Sequence, residues 1–168
     1  LETEQAGGNL GDKHKIYRNA IFHSVDPEYT DMTNEEVKMM FETRKILNRP
    51  DIKVAVTCVR LPIIGGHSES VNLELAKEFD IEDIRSVLKD FGVIVMDDLQ
   101  QEVYPTAAIA NDTDPVYVGR LRRDETRDNG LAMWVVSDNV RKGAATNAVQ
   151  IAEIVARENL LEYEKYEF

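Results

Sequence analysis

An α+β domain, with a mixed sheet and helices on one face, is the fold class this sequence predicts. Two patterns and one absence predict it. Helical and strand-like runs are interspersed along the 168 residues with long irregular connections, as in folds where helices gather beside a sheet. The strand-like runs are short and β-branched, and one of them alternates polar with apolar residues as a half-buried strand does. Internal repeats, low-complexity tracts, Gly-x-Gly-x-x-Gly and the phosphate-loop lysine pattern are all absent, so a dinucleotide-binding domain is not contained in these residues.

Taken in order, LETEQAGGNLGDKHK (residues 1–15) is polar and glycine-spaced and reads as a linker or frayed segment at the boundary of a longer protein. Residues 16–32 read as extended chain and loop, with His23 as a satisfied, partly buried histidine, since no second ligand-type residue lies at metal spacing. Thr33-Asn-Glu-Glu36 is a capping box that starts a helix. Val37, Met40, Phe41 and Leu47 recur on one side of that helix, and Asn48-Arg-Pro50 ends it. Ile52 to Arg60 reads as a strand, and Val71, Leu73 and Leu75 mark another. Asp80 caps a second helix with an apolar stripe of Ile81, Ile84, Val87, Leu88 and Phe91, and Gly92 closes it. Val93–Met96, Val116–Arg122 and Leu131–Val136 are further strands, the last two joined by the charged turn 123–130. Gly143 to Arg157 reads as a long Ala-rich helix.

Composition narrows the function classes. Twenty basic against thirty-one acidic side chains leave a net charge of −11, which opposes binding to nucleic acid or anionic lipid unless a local basic patch intervenes. Arg120, Arg122 and Arg123 are followed at once by Asp124 and Glu125, so that cluster is locally neutralised. No run approaches the roughly 18 apolar residues of a membrane span, and no signal-peptide pattern opens the sequence, so a cytoplasmic protein is expected. One cysteine, Cys58, excludes an internal disulfide and reads as packing in a strand.

The segment CVRLPIIGGHSESVNLEL (Cys58 to Leu75) is where chemistry concentrates. A guanidinium such as that of Arg60 grips a carboxylate with two hydrogen bonds, and imidazole is the side chain that ordinarily titrates nearest neutral pH. Gly65 and Gly66 permit a turn that brings backbone close to a neighbour and aims the ring of His67. Glu69 is placed either to orient that ring or to be solvated. By themselves, Arg60 and His67 read equally well as an ion-pairing arginine and a loop histidine. Glu35 and Lys38 share a helix face and read either as a solvated ion pair or as two heads reaching into one pocket.

CVRLPIIGGHSESVNLEL resembles the active-site segment of the aspartate-β-semialdehyde dehydrogenases. Residues 35–47, carrying Glu-Thr-Arg-Lys-Ile-Leu, together with VYVGRLRRDE, LAMWVVSDN and RKGAATNAVQIAE, are similar to that family's sequences in the same order. The similarity covers about residues 30–158. Asn19-Ala-Ile-Phe-His-Ser24 is only weakly similar to the family's Asn-Val-Ile-Pro-His-Ile. The resemblance implies the family's second domain, a largely antiparallel mixed sheet like the C-terminal domain of glyceraldehyde-3-phosphate dehydrogenase, over residues 16–142. It implies that residues 143–168 form a helix and tail packed on a nucleotide-binding domain.

The same resemblance implies a reductive dephosphorylation of aspartyl phosphate in which a cysteine takes the acyl group and NADPH reduces the thioester. His67 would be the general acid and base, Arg60 the clamp for the substrate carboxylate, Glu35 the partner of its ammonium and Lys38 the phosphate site. Asn139 would lie near the nicotinamide of NADP. The family's Asn-Cys nucleophile motif does not occur here, so these residues alone would be inactive. A homo-oligomer, dimer or tetramer, is the implied partner. Two alternatives stay open: a related reductase of the N-acetylglutamyl-phosphate type, and a non-catalytic paralogue or oligomerisation module.

Overall fold

The computed structural model describes residues 16 and 18–160, so the linker expected over 1–15 lies outside the described residues. The chain divides into two compact units between Ile63 and Ile64.

In the first unit, β1 (Ile21–Phe22) pairs antiparallel with β2 (Val59–Arg60), placing Ile21 opposite Arg60. Helix α1 (Asn34–Ile46) starts at the expected box: the Thr33 amide donates to the Glu36 carboxylate at 2.7 Å and the Glu36 amide to the Thr33 hydroxyl at 3.4 Å. Acidic Glu35 and Glu36 in its first turn and basic Arg44 and Lys45 in its last both suit the helix dipole. Leu47 caps the end, and Asn48 takes the left-handed conformation (φ 50°) ahead of Pro50. Of the apolar residues that recur along it, Val37 and Met40 are half-buried while Phe41 and Leu47 are exposed, and Phe41 leans on the Tyr29 ring, 5.7 Å between centroids.

The strand expected over Ile52–Arg60 is a ladder only at Val59–Arg60. Residues 52–58 alternate in exposure as a strand would, yet among the described residues no strand pairs with them. A β pattern without a partner strand makes no ladder. Its two ends are fastened to α1 instead, where Arg44 Nε donates to the Ile52 carbonyl at 2.9 Å and the Cys58 amide donates to Glu36 Oε1 at 2.9 Å.

The second unit is a four-stranded sheet of β3 (His67–Glu74), β4 (Ile94–Val95), β5 (Val116–Asp124) and β6 (Gly130–Ser137) in the order β3-β6-β5-β4. Its pairs are antiparallel except β4–β5, the mixed and largely antiparallel sheet expected. Helix α2 (Ile81–Asp90) is capped by the Asp80 carboxylate, which accepts from the Glu82 amide at 2.7 Å. Ile81, Ile84 and Leu88 pack against buried Val118, Leu121 and Leu131 on one sheet face. Phe91, expected on that stripe, is 85% exposed. The helix has ended by then: Gly92 turns at φ 77°, the Val93 amide bonds back to the Leu88 carbonyl, and Val93 takes the packing position instead.

The other face carries a helix the sequence reading did not contain, α3 (Ala107–Ala110), with Ala110 packed on Tyr117 and Val136. Four residues are too few for a periodic signal. Trp134 joins this cluster and donates its indole N–H to the Pro105 carbonyl at 3.2 Å. Finally, the helix expected from Gly143 enters through a π turn, Arg141–Ala145, before α4 (Thr146–Arg157) begins. On α4, Val149, Ile151 and Ile154 are 58%, 53% and 42% exposed. No helix among the described residues is long and apolar enough to cross a membrane.

Candidate functional site

The expected site residues fall on both units: Glu35, Lys38 and Arg60 in the first, His67 and Asn139 in the second.

In the first unit α1 presents Glu35 and Lys38 one turn apart, and the Lys38 ammonium donates to both carboxylate oxygens of Glu35 at 3.0 and 3.2 Å. The Arg60 guanidinium, at the exposed end of β2, donates to His23 Nδ1 at 3.2 Å. Since arginine has no acceptor, this bond requires the His23 tautomer that carries its proton on Nε2. His23 is therefore half-buried and satisfied, as expected. The Lys38 hydrogen bond first, then the charges of Lys38 and Arg60, hold the Glu35 carboxyl below the usual carboxylate range. One anion and two permanent cations thus share a small region, an arrangement that suits a ligand carrying both signs of charge.

In the second unit His67 is not in the glycine turn but on the first ladder position of β3, opposite Ser137. The turn before it is shaped by close approach. Gly65 adopts φ 90°, which costs a residue with a side chain about 1–2 kcal/mol, and a methyl there would strike the Asn111 side chain. At Gly66 a methyl would overlap the Ser137 carbonyl. Gly66→Ala should therefore destabilise this unit by about 1–3 kcal/mol through overpacking. A denaturant titration of the chain would measure it, and an unchanged midpoint would contradict the close approach. Glu69 lies on the same sheet face as His67 by the two-residue period. Among the described residues no hydrogen bond joins them.

Asn139 follows a residue the sequence reading missed. Asp138 is buried, and its carboxylate accepts amides from Val140, Arg141 and Asp112, each at 2.8 Å. The Arg141 and Asp112 amides lead in holding that carboxyl below the usual range. Asn139, exposed beside this anchor, has its Cβ 3.7 Å from where a Gly143 side chain would begin. Arg141 closes the loop by pairing with Asp112 at 2.8 Å and Asp114 at 3.2 Å. Glu36 was legible only as a cap. Its second bond, to the amide of Cys58, spans 22 positions and leaves no local signal.

The model of the semialdehyde dehydrogenase dimerisation domain matches residues 10–142. An aspartate-semialdehyde dehydrogenase of Aquifex aeolicus is 51% identical over 150 residues, which are 88% of this chain and 44% of that protein. Aspartate semialdehyde dehydrogenase II of Vibrio cholerae, solved in complex with ASA, superposes with a TM-score of 0.81 at 38% identity over 94% of this chain and 47% of its own. The Candida albicans enzyme with NADP gives 0.64 at 27% identity, over 87% of this chain and 46% of its own. The chain thus spans a little under half the length of the relatives it matches.

Proposed function

Because the chain belongs to the family of semialdehyde dehydrogenase dimerisation domains, we propose that it is the catalytic and dimerisation part of an aspartate-semialdehyde dehydrogenase. The whole protein would reduce aspartyl phosphate to aspartate semialdehyde with NADPH, releasing phosphate, in the cytoplasm, as a homodimer or tetramer formed through this domain. Its thioester-forming cysteine would lie outside these residues. The observation that carries this reading is the Lys38 ammonium bonded to both oxygens of the Glu35 carboxylate, with Arg60 in the same unit near enough for its charge to act on that carboxyl. It offers one anion and two cations to a substrate that brings an ammonium, a carboxylate and a phosphate.

Arg60 would take the carboxylate through its two-pronged fork, Glu35 the ammonium and Lys38 the phosphate. For this Lys38 must leave Glu35, and an exposed, solvent-screened pair exchanges partners easily. His67 would take the proton from the attacking thiol and return one as the tetrahedral adduct collapses. NADP, held mainly by a domain outside these residues, supplies the hydride when bound. An exposed amide beside an open glycine fits the edge of its nicotinamide carboxamide, with Asn139 as the contact and Asp138 as its anchor.

The test is turnover by the full-length protein with aspartate semialdehyde, phosphate and NADP. A preference for an N-acetylated glutamate semialdehyde would favour the related reductase, and no turnover of either would favour a non-catalytic paralogue.

Residues 16–142 would be the catalytic and dimerisation domain, and 143–168 would dock on the nucleotide-binding domain. Exposed Val149, Ile151 and Ile154 support that docking, since each apolar side chain left in water forgoes about 1.5–3 kcal/mol. In the chain alone, backbone amides from about Ala144 onward should exchange hydrogen fast, or become protected with rising concentration if copies dock. Strong protection at high dilution would mean that α4 needs no partner.

A further inference from the structure

We propose that Glu36 is a positioning residue for the substrate clamp, a single buried carboxylate that sets the spacing between Glu35 on α1 and Arg60 on β2. The inference rests on the reading of Glu35 and Arg60 as substrate-binding groups. Glu36 is 8% exposed, against a chain surface on which acidic residues are ordinarily solvated. Its two oxygens hold two different elements. Oε2 accepts the Thr33 amide at 2.7 Å, at the cap of the helix whose first two turns carry Glu35 and Lys38. Oε1 accepts the Cys58 amide at 2.9 Å, two residues before Arg60.

A capping box uses only the first of these bonds. The second does nothing for the helix, and its effect is to tie the approach to Arg60 to the start of α1. The chain that precedes α1 touches both of these elements: the Asn34 amide donates to the Ser24 carbonyl at 3.0 Å, Val25 bridges Thr33, and Ile21 pairs with Arg60. His23, which receives the Arg60 guanidinium, lies within that stretch. Glu36 therefore joins the start of α1 directly to the approach to Arg60, and the stretch that carries His23 is fastened at Thr33, Asn34 and Arg60 on either side of that joint. The amides of Thr33 and Cys58 hold its carboxyl below the usual range, as ionised acceptors of short hydrogen bonds are held.

The test pairs kinetics with a direct view of the bond, both in the full-length protein. Glu36→Gln keeps the size and one acceptor oxygen, so it can hold one of the two amides but not both. It should raise KM for aspartate semialdehyde about 10–100-fold, the scale on which small misplacements act. Turnover number and KM for phosphate should stay within about twofold. With cysteine and threonine labelled by ¹⁵N, the Cys58 and Thr33 amides should titrate together in acid, and the Cys58 signal should move in the variant. Glu36→Asp, charged but one methylene shorter, should give the same KM split and serves if the Gln protein does not fold. A Cys58 amide indifferent to Glu36 overturns the proposal whatever the activity. So does a loss of turnover number without the KM split, which is what a merely structural role gives. Absence of aspartate semialdehyde turnover in the unmutated protein would instead remove the functional reading, and the proposal with it.

Discussion

His67→Asn in the full-length protein should lower turnover about 10²–10⁴-fold, the usual contribution of a positioned acid or base. Substrate affinity should survive, because asparagine keeps a similar size and polarity at the first ladder position of β3 and leaves the pairing with Ser137 intact. The loss should fall on the proton transfers at the thiol and the tetrahedral adduct, which an amide cannot perform. Steady-state kinetics in both directions, with circular dichroism to verify folding, measure this. Near-normal turnover would remove His67 from the mechanism.

Arg60→Lys should raise KM for aspartate semialdehyde about 10–100-fold. A point ammonium cannot make the two parallel bonds of a guanidinium to a carboxylate, and one charged hydrogen bond is worth about 1.5–3 kcal/mol. The lysine also loses the directional bond to His23 Nδ1 that now restrains the arginine. Lys38→Ala should act mainly on phosphate, because it removes the ammonium assigned to that anion and leaves the Arg60 fork in place for the carboxylate. If both substitutions weakened the same substrate equally, the division of labour between the two cations would be wrong.

What the sequence made legible was local. The Thr33 box, the Asp80 cap and the Gly92 stop are written in a few neighbouring residues, and each appears in the structure where the chemistry of helix ends requires it. The Gly65-Gly66 pair was legible for the same reason, since only a residue without a side chain tolerates the Ser137 carbonyl so near. What stayed hidden depends on distant partners. Residues 52–58 carry a strand's pattern, but a ladder needs a second strand and their own residues do not supply it. Glu36 and Asp138 look like a cap and a turn residue, and nothing in their spacing reveals that Cys58 and Asp112 complete them. Phe91 misled because periodicity continues past the point where a glycine has already turned the chain.

The π turn at Arg141–Ala145 has a consequence for how this protein tolerates change. A π turn holds one residue more than an α turn, and each residue advances a helix by about 100°. Deleting one position within it would let an ordinary turn close and would swing the whole of α4 about its axis, carrying Ile151 and Ile154 to a different bearing without altering either side chain. The phase of that helix is therefore encoded in a length, and a gain or loss of one residue between Asp138 and Thr146 reaches further than most substitutions along α4 itself.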